Sequence, residues 1–430
     1  FMKDGNKNRL REQDIHKIVD VFNRQLELQR YSRMVPVSEI ASPANDYNLN
    51  IPRYIDSSEP EDLHDLEAHL RGGIPNRDID ALASYWKVFP SLQGELFKTN
   101  GRPGYSEARV ESPQVKATIL NHPEFGKYSK KVAGVFDDWR AAHEPMLKKL
   151  KVGTKPKTVI NTLSEDLLER FAALPLLDKY DVYQRLMEYW ADVMQDDVFL
   201  IASDGWIEGA KPRPPIENKE RNIREAPDLV VERKKYKMDL IPPALIVARY
   251  FAAERAEVDA LEAKREAAER ELEEFVEENS GEEGLLEDAK TDKGSVTKAS
   301  VSERLREIKK LKDSDDERKV LERSLELIEA EAEAAKTIKE AQAELDAMVL
   351  DKYKVLSETE IKTLVVEDKW FATVSSAIKG EVQRVTHELS DRVKELDERY
   401  ATPLPMIDAE VHQLSATLEE HLKRMGVDLA

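Results

Sequence analysis

The feature that most limits the fold is a charged stretch, from about residue 244 to residue 351, with apolar residues at alternating spacings of three and four. In its first half these residues are Phe251, Val258, Leu261, Ala268, Leu272 and Phe275, with Glu254 and Arg265 at the two seam positions between them. Such spacing is typical of the narrow apolar seam of a coiled coil. The interval 279–298 contains three glycines and interrupts the seam, which resumes at Leu305 and continues toward Leu345. We therefore expect a long antiparallel coiled-coil arm over 244–351.

Packing between the two helices of this arm is favoured over binding of a partner's helix, although both can hold at once. A capping-box pattern at Ser357 and Glu360 follows the arm and introduces an apolar patch around Trp370. Two more helical patterns complete the chain. Their apolar residues are Val382, Val385, Leu389, Val393 and Leu396 in the first, and Val411, Leu414, Leu418, Leu422 and Met425 in the second.

Composition agrees with a mainly α-helical fold. Charged residues make up 35% of the 430 residues and aromatic residues only 7%, which favours long solvated helices over a barrel or sandwich. The formal charge of −19 argues against indiscriminate attraction to nucleic acid or to anionic membranes. The sequence has no cysteine, no transmembrane pattern and no apolar signal core, so we expect a cytoplasmic protein that does not associate with membranes.

The first sixty residues differ in character from the rest. Between Gln13 and Leu28 the apolar residues Ile15, Ile18, Val19, Phe22 and Leu26 have helical spacing, which predicts an amphipathic helix with a buried apolar face. The segment Asn45–Tyr54 contains Pro52 and three asparagines, so we expect an ordered extended segment rather than a helix. In it the asparagines can bond neighbouring backbone, and Tyr47, Leu49, Ile51 and Tyr54 offer apolar area for packing.

These residues carry a family resemblance. The strings Lys3-Asp4-Gly5-Asn6-Lys7-Asn8-Arg9-Leu10 and Tyr47-Asn48-Leu49-Asn50-Ile51-Pro52-Arg53-Tyr54, with Asn45 before the second, resemble the end of the methyltransferase domain in the modification (M) subunit of type I restriction-modification enzymes. Later stretches, notably Tyr180–Ile201, are similar to a long variant of that subunit. The family-motif residues are Asn45, Tyr47, Asn48, Asn50, Arg53 and Tyr54.

The resemblance implies that the complete subunit methylates adenine N6 in DNA with S-adenosylmethionine. It further implies that two copies act with one specificity subunit, and the restriction subunit is a further candidate partner. The family's Asp-Pro-x-x-Gly-x-Gly-type cofactor loop and Asn-Pro-Pro-Tyr/Phe motif do not occur in this sequence, and truncation or processing would explain this. We therefore assign no catalytic, cofactor-binding or metal-binding residue, and we expect this chain alone to be inactive and to bind no cofactor.

A basic window over 127–157 is the best candidate for DNA contact. It carries nine basic and three acidic residues inside an acidic protein, a local charge of +6. The candidate DNA contacts are Lys127, Lys130, Lys131, Lys148, Lys149 and Lys151. A solvated lysine face explains the window equally well, and both interpretations stay open.

The patterns divide the chain into five parts. Residues 1–56 would be the end of an α/β methyltransferase domain, 57–208 a helical domain with a core over 167–201, and 209–243 a linker. The arm over 244–351 and a small subdomain with the carboxy-terminal helices over 352–430 would follow. We expect this chain to be the part of the modification subunit that serves assembly and DNA clamping. The competing hypothesis is a non-enzymatic coiled-coil scaffold.

Overall fold

The computed structural model describes residues 2–5, 7–58, 63–218, 223–281, 284–291, 294–309 and 315–425, and Asn6 of the resemblance lies outside them. The described chain is mainly helical, which confirms the fold class at this level. It forms two compact units. The first comprises residues 1–150, 154–198 and 370–430, and the second comprises residues 151–153 and 199–369.

Helices account for most of both units. They are α1 (Glu12–Arg24), α2 (Val37–Ile40), α3 (Leu66–Arg71), α4 (Asn76–Asp80), α5 (Ala83–Trp86), α6 (Leu92–Leu96), α7 (Ser112–Asn121), α8 (Pro123–Leu147), α9 (Pro156–Phe171), α10 (Lys179–Tyr189), α11 (Gln195–Gly209), α12 (Pro243–Tyr250), α13 (Ala252–Glu278), α14 (Lys298–Ile308), α15 (Asp315–Val355), α16 (Glu358–Lys362), α17 (Ala372–Tyr400) and α18 (Leu404–Arg424). Wider π-type turns over Trp190–Met194 and Thr363–Phe371 lead into α11 and α17.

The strands are short and antiparallel. They are β1 (Met2–Asp4), β2 (Lys7–Arg9), β3 (Ile74–Pro75), β4 (Phe97–Thr99), β5 (Tyr105–Ala108), β6 (Glu217–Asn218), β7 (Ile223–Arg224), β8 (Leu229–Val231) and β9 (Lys234–Tyr236). Strands β3, β5 and β4 form a three-stranded sheet in that order, and the other strands pair as two-stranded hairpins.

The core of the first unit lies among its long helices. Trp139 of α8 is buried, and its indole N–H donates to the carbonyl oxygen of Leu163 in α9 at 3.1 Å. The ring of Phe371 meets Trp139 edge-on, with ring centroids 5.7 Å apart. The predicted core over 167–201 is present, since Leu167, Phe171, Leu186, Trp190 and Met194 are buried, although Phe199 is exposed.

The second unit contains two long helices side by side. Ion pairs join Glu271 of α13 to Arg323 of α15 and Arg265 to Glu331, at 2.7 and 3.4 Å. The pairing order reverses along the two helices, so α13 and α15 run antiparallel. Beyond the end of α13, residues of the connecting segment, α14 and α15 form a small apolar cluster. Its buried members are Leu286, Ala289, Val301, Ile308 and Leu321.

Two regions of the second unit contain detail that the sequence patterns do not indicate. The beginning of the predicted arm is divided into two helices, because Phe251 leaves helical geometry (φ −131°, ψ 33°) and separates α12 from α13. The stretch over 209–243, predicted as a linker, contains short strands. It carries the β6–β7 and β8–β9 hairpins, and Arg213 bonds both Glu225 and Asp239 at 2.5–3.1 Å.

The capping box is confirmed. The hydroxyl of Ser357 accepts a hydrogen bond from the backbone N–H of Glu360, and the Glu360 carboxylate accepts one from the backbone N–H of Ser357 at 2.9 Å. The apolar patch that follows is buried. Its members are Leu364, Val365, Val366, Trp370 and Phe371. Among the described residues, no helix is both long enough and apolar enough to cross a membrane.

Candidate functional site

The family-motif segment folds as a compact loop. Asn45 Nδ2 donates to the carbonyl oxygen of Glu39 at 2.9 Å, and Arg53 Nη1 donates to that of Ala44 at 3.0 Å. The Asn48 side-chain oxygen accepts from the N–H of Asn50 at 2.9 Å, and its carbonyl oxygen accepts from the hydroxyl of Tyr54. The expectation that the asparagines bond neighbouring backbone is therefore confirmed for Asn45 and Asn48.

The expected extended conformation is wrong for most of the segment. Asp46 and Tyr47 have φ of 44° and 56°, in the left-handed region, and Ile51–Arg53 form a 3₁₀ turn. Pro52 fits this turn because the first residues of a helix need no N–H donor within it. Only the stretch over 48–50 lacks turn or helix.

The apolar side chains of the loop point outward. Tyr47, Leu49 and Ile51 are 68–72% exposed, which contradicts the expectation that they pack against the chain. The polar groups bond inward because the backbone of a tight loop offers unsatisfied carbonyl and N–H groups close by. An exposed apolar surface therefore remains on this loop.

Helix α1 shows the same inversion more clearly. Its predicted apolar face is exposed: Ile15, Ile18 and Val19 by 44–50%, and Phe22 by 81%. The residues that are buried are Gln13 and Asp20, on the opposite side of the helix. The helix prediction is confirmed, and the prediction that its apolar face is buried is wrong for this chain.

The buried polar side of α1 bonds to α10. The backbone N–H of Gln13 donates to Gln184 Oε1 at 3.0 Å, and its Nε2 donates to Asp181 Oδ1 at 2.8 Å. Asp20 accepts from the hydroxyl of Tyr180 at 2.6 Å and from Lys179 Nζ at 3.1 Å. A polar interface of this kind fixes the orientation of a helix through hydrogen-bond geometry and leaves its apolar face unused.

The same network continues into α17. Asp181 Oδ2 accepts from Arg384 at 2.9 Å, and Arg384 also bonds Glu381 at 2.8 Å. Glu381 is almost fully buried and accepts a second bond, from Arg185 Nε at 2.7 Å. Hydrogen bonds thus link the amino-terminal helix to the core of the first unit.

Two carboxylates of this network have altered pKa values. Burial opposes ionisation of Asp20, yet the hydrogen bonds from Tyr180 and Lys179 hold its pKa below the usual value. Burial likewise opposes ionisation of Glu381, and the bonds from Arg384 and Arg185 still lower its pKa. Both groups are therefore ionised at neutral pH and act as fixed hydrogen-bond acceptors.

Sequence reasoning missed this network. A signal was available, because Gln13, His16, Lys17 and Asp20 recur at helical spacing just as the apolar residues do. The partners of α1 in α10 lie 159 or more residues away in sequence, and Arg384 of α17 lies still further away, so no local pattern identifies them.

The six candidate DNA-contacting lysines do not form one cluster. Lys127, Lys130 and Lys131 are exposed near the start of α8, while Lys148 and Lys149 follow its end. Lys130 and Lys148 are eighteen residues apart, which is about 27 Å at a helical rise of 1.5 Å per residue. Lys148 and Lys149 lie beyond Leu147, the last residue of α8, so the geometry of that helix does not determine the side on which they lie.

Two of the lysines are distinguished further. Lys148 is half-buried, and its Nζ bonds Glu144 at 2.7 Å. Lys151 belongs to the second unit. DNA contact by any of the six stays a prediction.

The fit of S-adenosylmethionine can be judged from the family-motif loop. The polar side chains of this loop bond the backbone of the loop itself; they are Asn45, Asn48, Arg53 and Tyr54. By themselves they do not form a site that fits the cofactor, so a further part of a methyltransferase fold would have to supply one. Among the described residues, no group of three or more His, Asp or Glu side chains is placed to hold a metal ion.

Comparison with known proteins identifies a protein family that the amino-terminal segment resembles. Residues 1–63 match the family model of N-6 DNA methylase, which confirms the resemblance over these residues. A particular relative is the methylase subunit of the type I restriction enzyme MjaVII from Methanocaldococcus jannaschii, which is 41% identical over 63 residues. The match spans 15% of this chain and 11% of that protein. No solved structure matches the chain.

Proposed function

We propose that this chain is the carboxy-terminal part of the DNA methyltransferase subunit of a type I restriction-modification enzyme. The complete enzyme would transfer the methyl group of S-adenosylmethionine to adenine N6 in DNA, with sequence recognition by a specificity subunit. The match of residues 1–63 supports the methyltransferase assignment. Beyond residue 63 the assignment relies on the resemblance of later stretches such as Tyr180–Ile201.

The observation that carries the proposal is the exposed apolar face of α1. A surface helix normally turns its apolar stripe toward a core. Here Ile15, Ile18, Val19 and Phe22 are exposed on a helix whose polar side is already bonded to α10. We propose that the catalytic core of a methyltransferase domain packs against this apolar face of α1. That core would supply the cofactor loop and the Asn-Pro-Pro-Tyr/Phe motif.

The helical remainder would serve assembly and DNA clamping. The antiparallel helices α13 and α15 are proposed to form the coiled-coil arm. The proposed partners are the specificity subunit, a second copy of the modification subunit, DNA and the restriction subunit. The five-part domain division and a cytoplasmic location stay predictions.

Exposed lysines of α8 and of the turn that follows it are the proposed contacts with DNA phosphates. They are Lys127, Lys130 and Lys131 near the start of the helix and Lys149 just beyond its end. The logarithm of the DNA-binding constant falls linearly with the logarithm of the salt concentration. Each phosphate that a lysine no longer neutralises should make this negative slope shallower by about 0.9. Replacing Lys127, Lys130 and Lys131 by glutamine should therefore reduce the salt dependence of duplex binding by the assembled enzyme. An unchanged slope would assign these lysines to a solvated face.

A reconstitution experiment tests the main assignment. This chain, the specificity subunit and a methyltransferase fragment with the cofactor loop are combined, and transfer of tritiated methyl groups to adenine N6 is measured on duplex DNA. We expect transfer only with all three components. No transfer and no complex at micromolar concentration would refute the assignment.

The matched variants for this experiment lie next to each other on α1. Phe22→Asp places a charge in the apolar face and should abolish binding of the catalytic fragment. Asn23→Asp adds the same charge at an exposed position beside that face and should leave binding unchanged. Equal effects of the two variants would show that the apolar face is not the contact.

The competing scaffold hypothesis predicts a different outcome. It is favoured by one observation, the exposed apolar stripe of α18, which a scaffold could use for self-association. A scaffold would self-associate and would neither bind a specificity subunit nor restore methyl transfer.

A further inference from the structure

Helix α18 lacks the packing that stabilises the other long helices. Every residue from 404 to 421 is exposed. Its nearest neighbour is the end of α3, where a Cβ at Gly72 would approach Pro403 to 3.3 Å just before the helix begins. Helices in proteins owe most of their stability to the packing of an apolar face, and this 21-residue helix has none within the described chain.

A heptad of mainly apolar residues runs along α18 and its C-terminal cap. Its apolar members are Leu404, Ile407, Val411, Leu414, Leu418 and Met425, with His421 at the one remaining seam position, and Met406 and Leu422 lie outside it. Alternating spacings of three and four give a narrow stripe, which suits a single facing helix better than a broad globular surface. Leu414 and Leu418, at the middle of this seam, are 61% and 59% exposed.

We propose that α18 pairs with α18 of a second copy of this chain, in antiparallel orientation. The central layers place Leu414 of each copy against Leu418 of the other. The same alignment places Val411 opposite His421 and Ile407 opposite Met425. This pairing does not depend on the proposed function, because it follows from the seam of α18 alone.

Charge complementarity selects the antiparallel orientation. In this alignment the positions that flank the seam bring Glu410 of each copy to Arg424 of the other, so two ion pairs form. The other flanking pairs are Thr417 with Thr417, Ser415 with Ser415 and Asp408 with Leu422, and none joins like charges. A parallel pair would have no opposite-charge contact at these positions and would place His421 against its own copy.

The oligomeric state of the full chain is the first test. Sedimentation velocity should show a dimer at micromolar concentration. Leu414→Asp places a carboxylate in both central layers and should weaken association on the order of 100-fold or more. The matched control is Ala416→Asp, on the outer side of the same turn, which should keep the dimer. A monomeric wild-type chain would overturn the proposal.

A charge exchange tests the register. Arg424→Glu should weaken the dimer because it brings a new carboxylate to Glu410 of the other copy at both ends of the seam. Glu410→Arg should weaken it by setting two guanidinium groups together at the same places. The double variant Glu410→Arg with Arg424→Glu should recover association. The control Lys423→Glu, away from the seam, should have little effect. A dimer insensitive to both single variants would overturn the proposed alignment.

The absence of natural cysteines permits a cross-linking test of orientation. In the antiparallel pair, Ile407 lies opposite Met425 and about 27 Å from its own copy, eighteen helical residues away. A mixture of Ile407→Cys and Met425→Cys chains should therefore form disulfide-linked dimers, and neither variant alone should do so. Efficient self-linking of each variant alone would indicate a parallel pair and overturn the proposal.

Another helical partner is the remaining alternative. If the wild-type chain is monomeric, and Leu414→Asp abolishes binding to a specificity subunit, then α18 is a contact for that subunit and the self-pairing is refuted. Because Phe22→Asp and Leu414→Asp act on different helices, failure of the dimer and failure of the methyltransferase assignment are distinguishable.

Discussion

Helices α1 and α17 have the same kind of sequence pattern and opposite environments. In α17, the apolar residues predicted to face the core are all buried; they are Val382, Val385, Leu389, Val393 and Leu396. In α1 the corresponding residues are exposed, and the polar side is buried through Gln13 and Asp20. Periodicity therefore predicts a helix and the side that needs a cover. Whether this chain provides that cover depends on the tertiary structure.

The largest expected change in stability concerns the buried apolar face of α17. Leu396→Ala should destabilise the fold by about 2–5 kcal/mol, because it leaves a cavity at a fully buried site. Ile18→Ala, in the exposed face of α1, should change stability by no more than about 0.5 kcal/mol. Urea unfolding of both variants measures the difference. Equal destabilisation by the two variants would mean that the face of α1 is covered within this chain.

An intermediate effect is expected at Glu381, which links α17 to α10. Glu381→Gln should cost about 1.5–3 kcal/mol, the range for hydrogen bonds to charged groups, since two arginines lose their carboxylate. Partial exposure of both arginines places the effect in the lower half of that range. The matched control is Glu388→Gln, at an exposed position of the same helix, where the carboxylate bonds Arg384 and Tyr85.

The pH dependence of this variant has a definite sign. The pKa of Glu381 is lower in the folded chain, so its carboxylate stabilises the fold above the unfolded-state pKa of about 4.3. That stabilising contribution is lost as the pH falls from the unfolded-state pKa of Glu381 through its lower pKa in the folded chain. The stability difference between the wild type and Glu381→Gln should therefore be full at pH 7 and shrink below about pH 4. A difference that grows on acidification would contradict the network.

The smallest effects are expected in the family-motif loop. Tyr47→Ala and Leu49→Ala should each shift the free energy of unfolding by less than about 0.5 kcal/mol, because both side chains are exposed in this chain. With a methyltransferase fragment bound, the same variants should weaken the complex, since the fragment would cover them. Thermal melting of the free chain and titration with the fragment separate the two effects.

Local predictions succeeded where neighbouring residues determine the structure. The capping box at Ser357 and Glu360 and the helices α1 and α17 depend on hydrogen bonds and periodicities within a few turns. The extended conformation of 45–54 failed because turn formation by Asp46 and Tyr47 outweighed the preference for extended backbone before Pro52. The apolar pattern did not predict the break at Phe251, because Phe251 is itself the first residue of the predicted seam.

The sequence by itself determined that this protein is mainly helical, which residues of α1, α17 and α18 form apolar stripes, and that residues 1–63 resemble a DNA methyltransferase. The tertiary structure alone decided which stripes are covered. It buries the stripe of α17, fixes α1 by its polar side and leaves α18 exposed. The physical reason is that apolar burial is non-directional, whereas the bonds of Gln13, Asp20 and Glu381 require partners at specific positions distant in sequence.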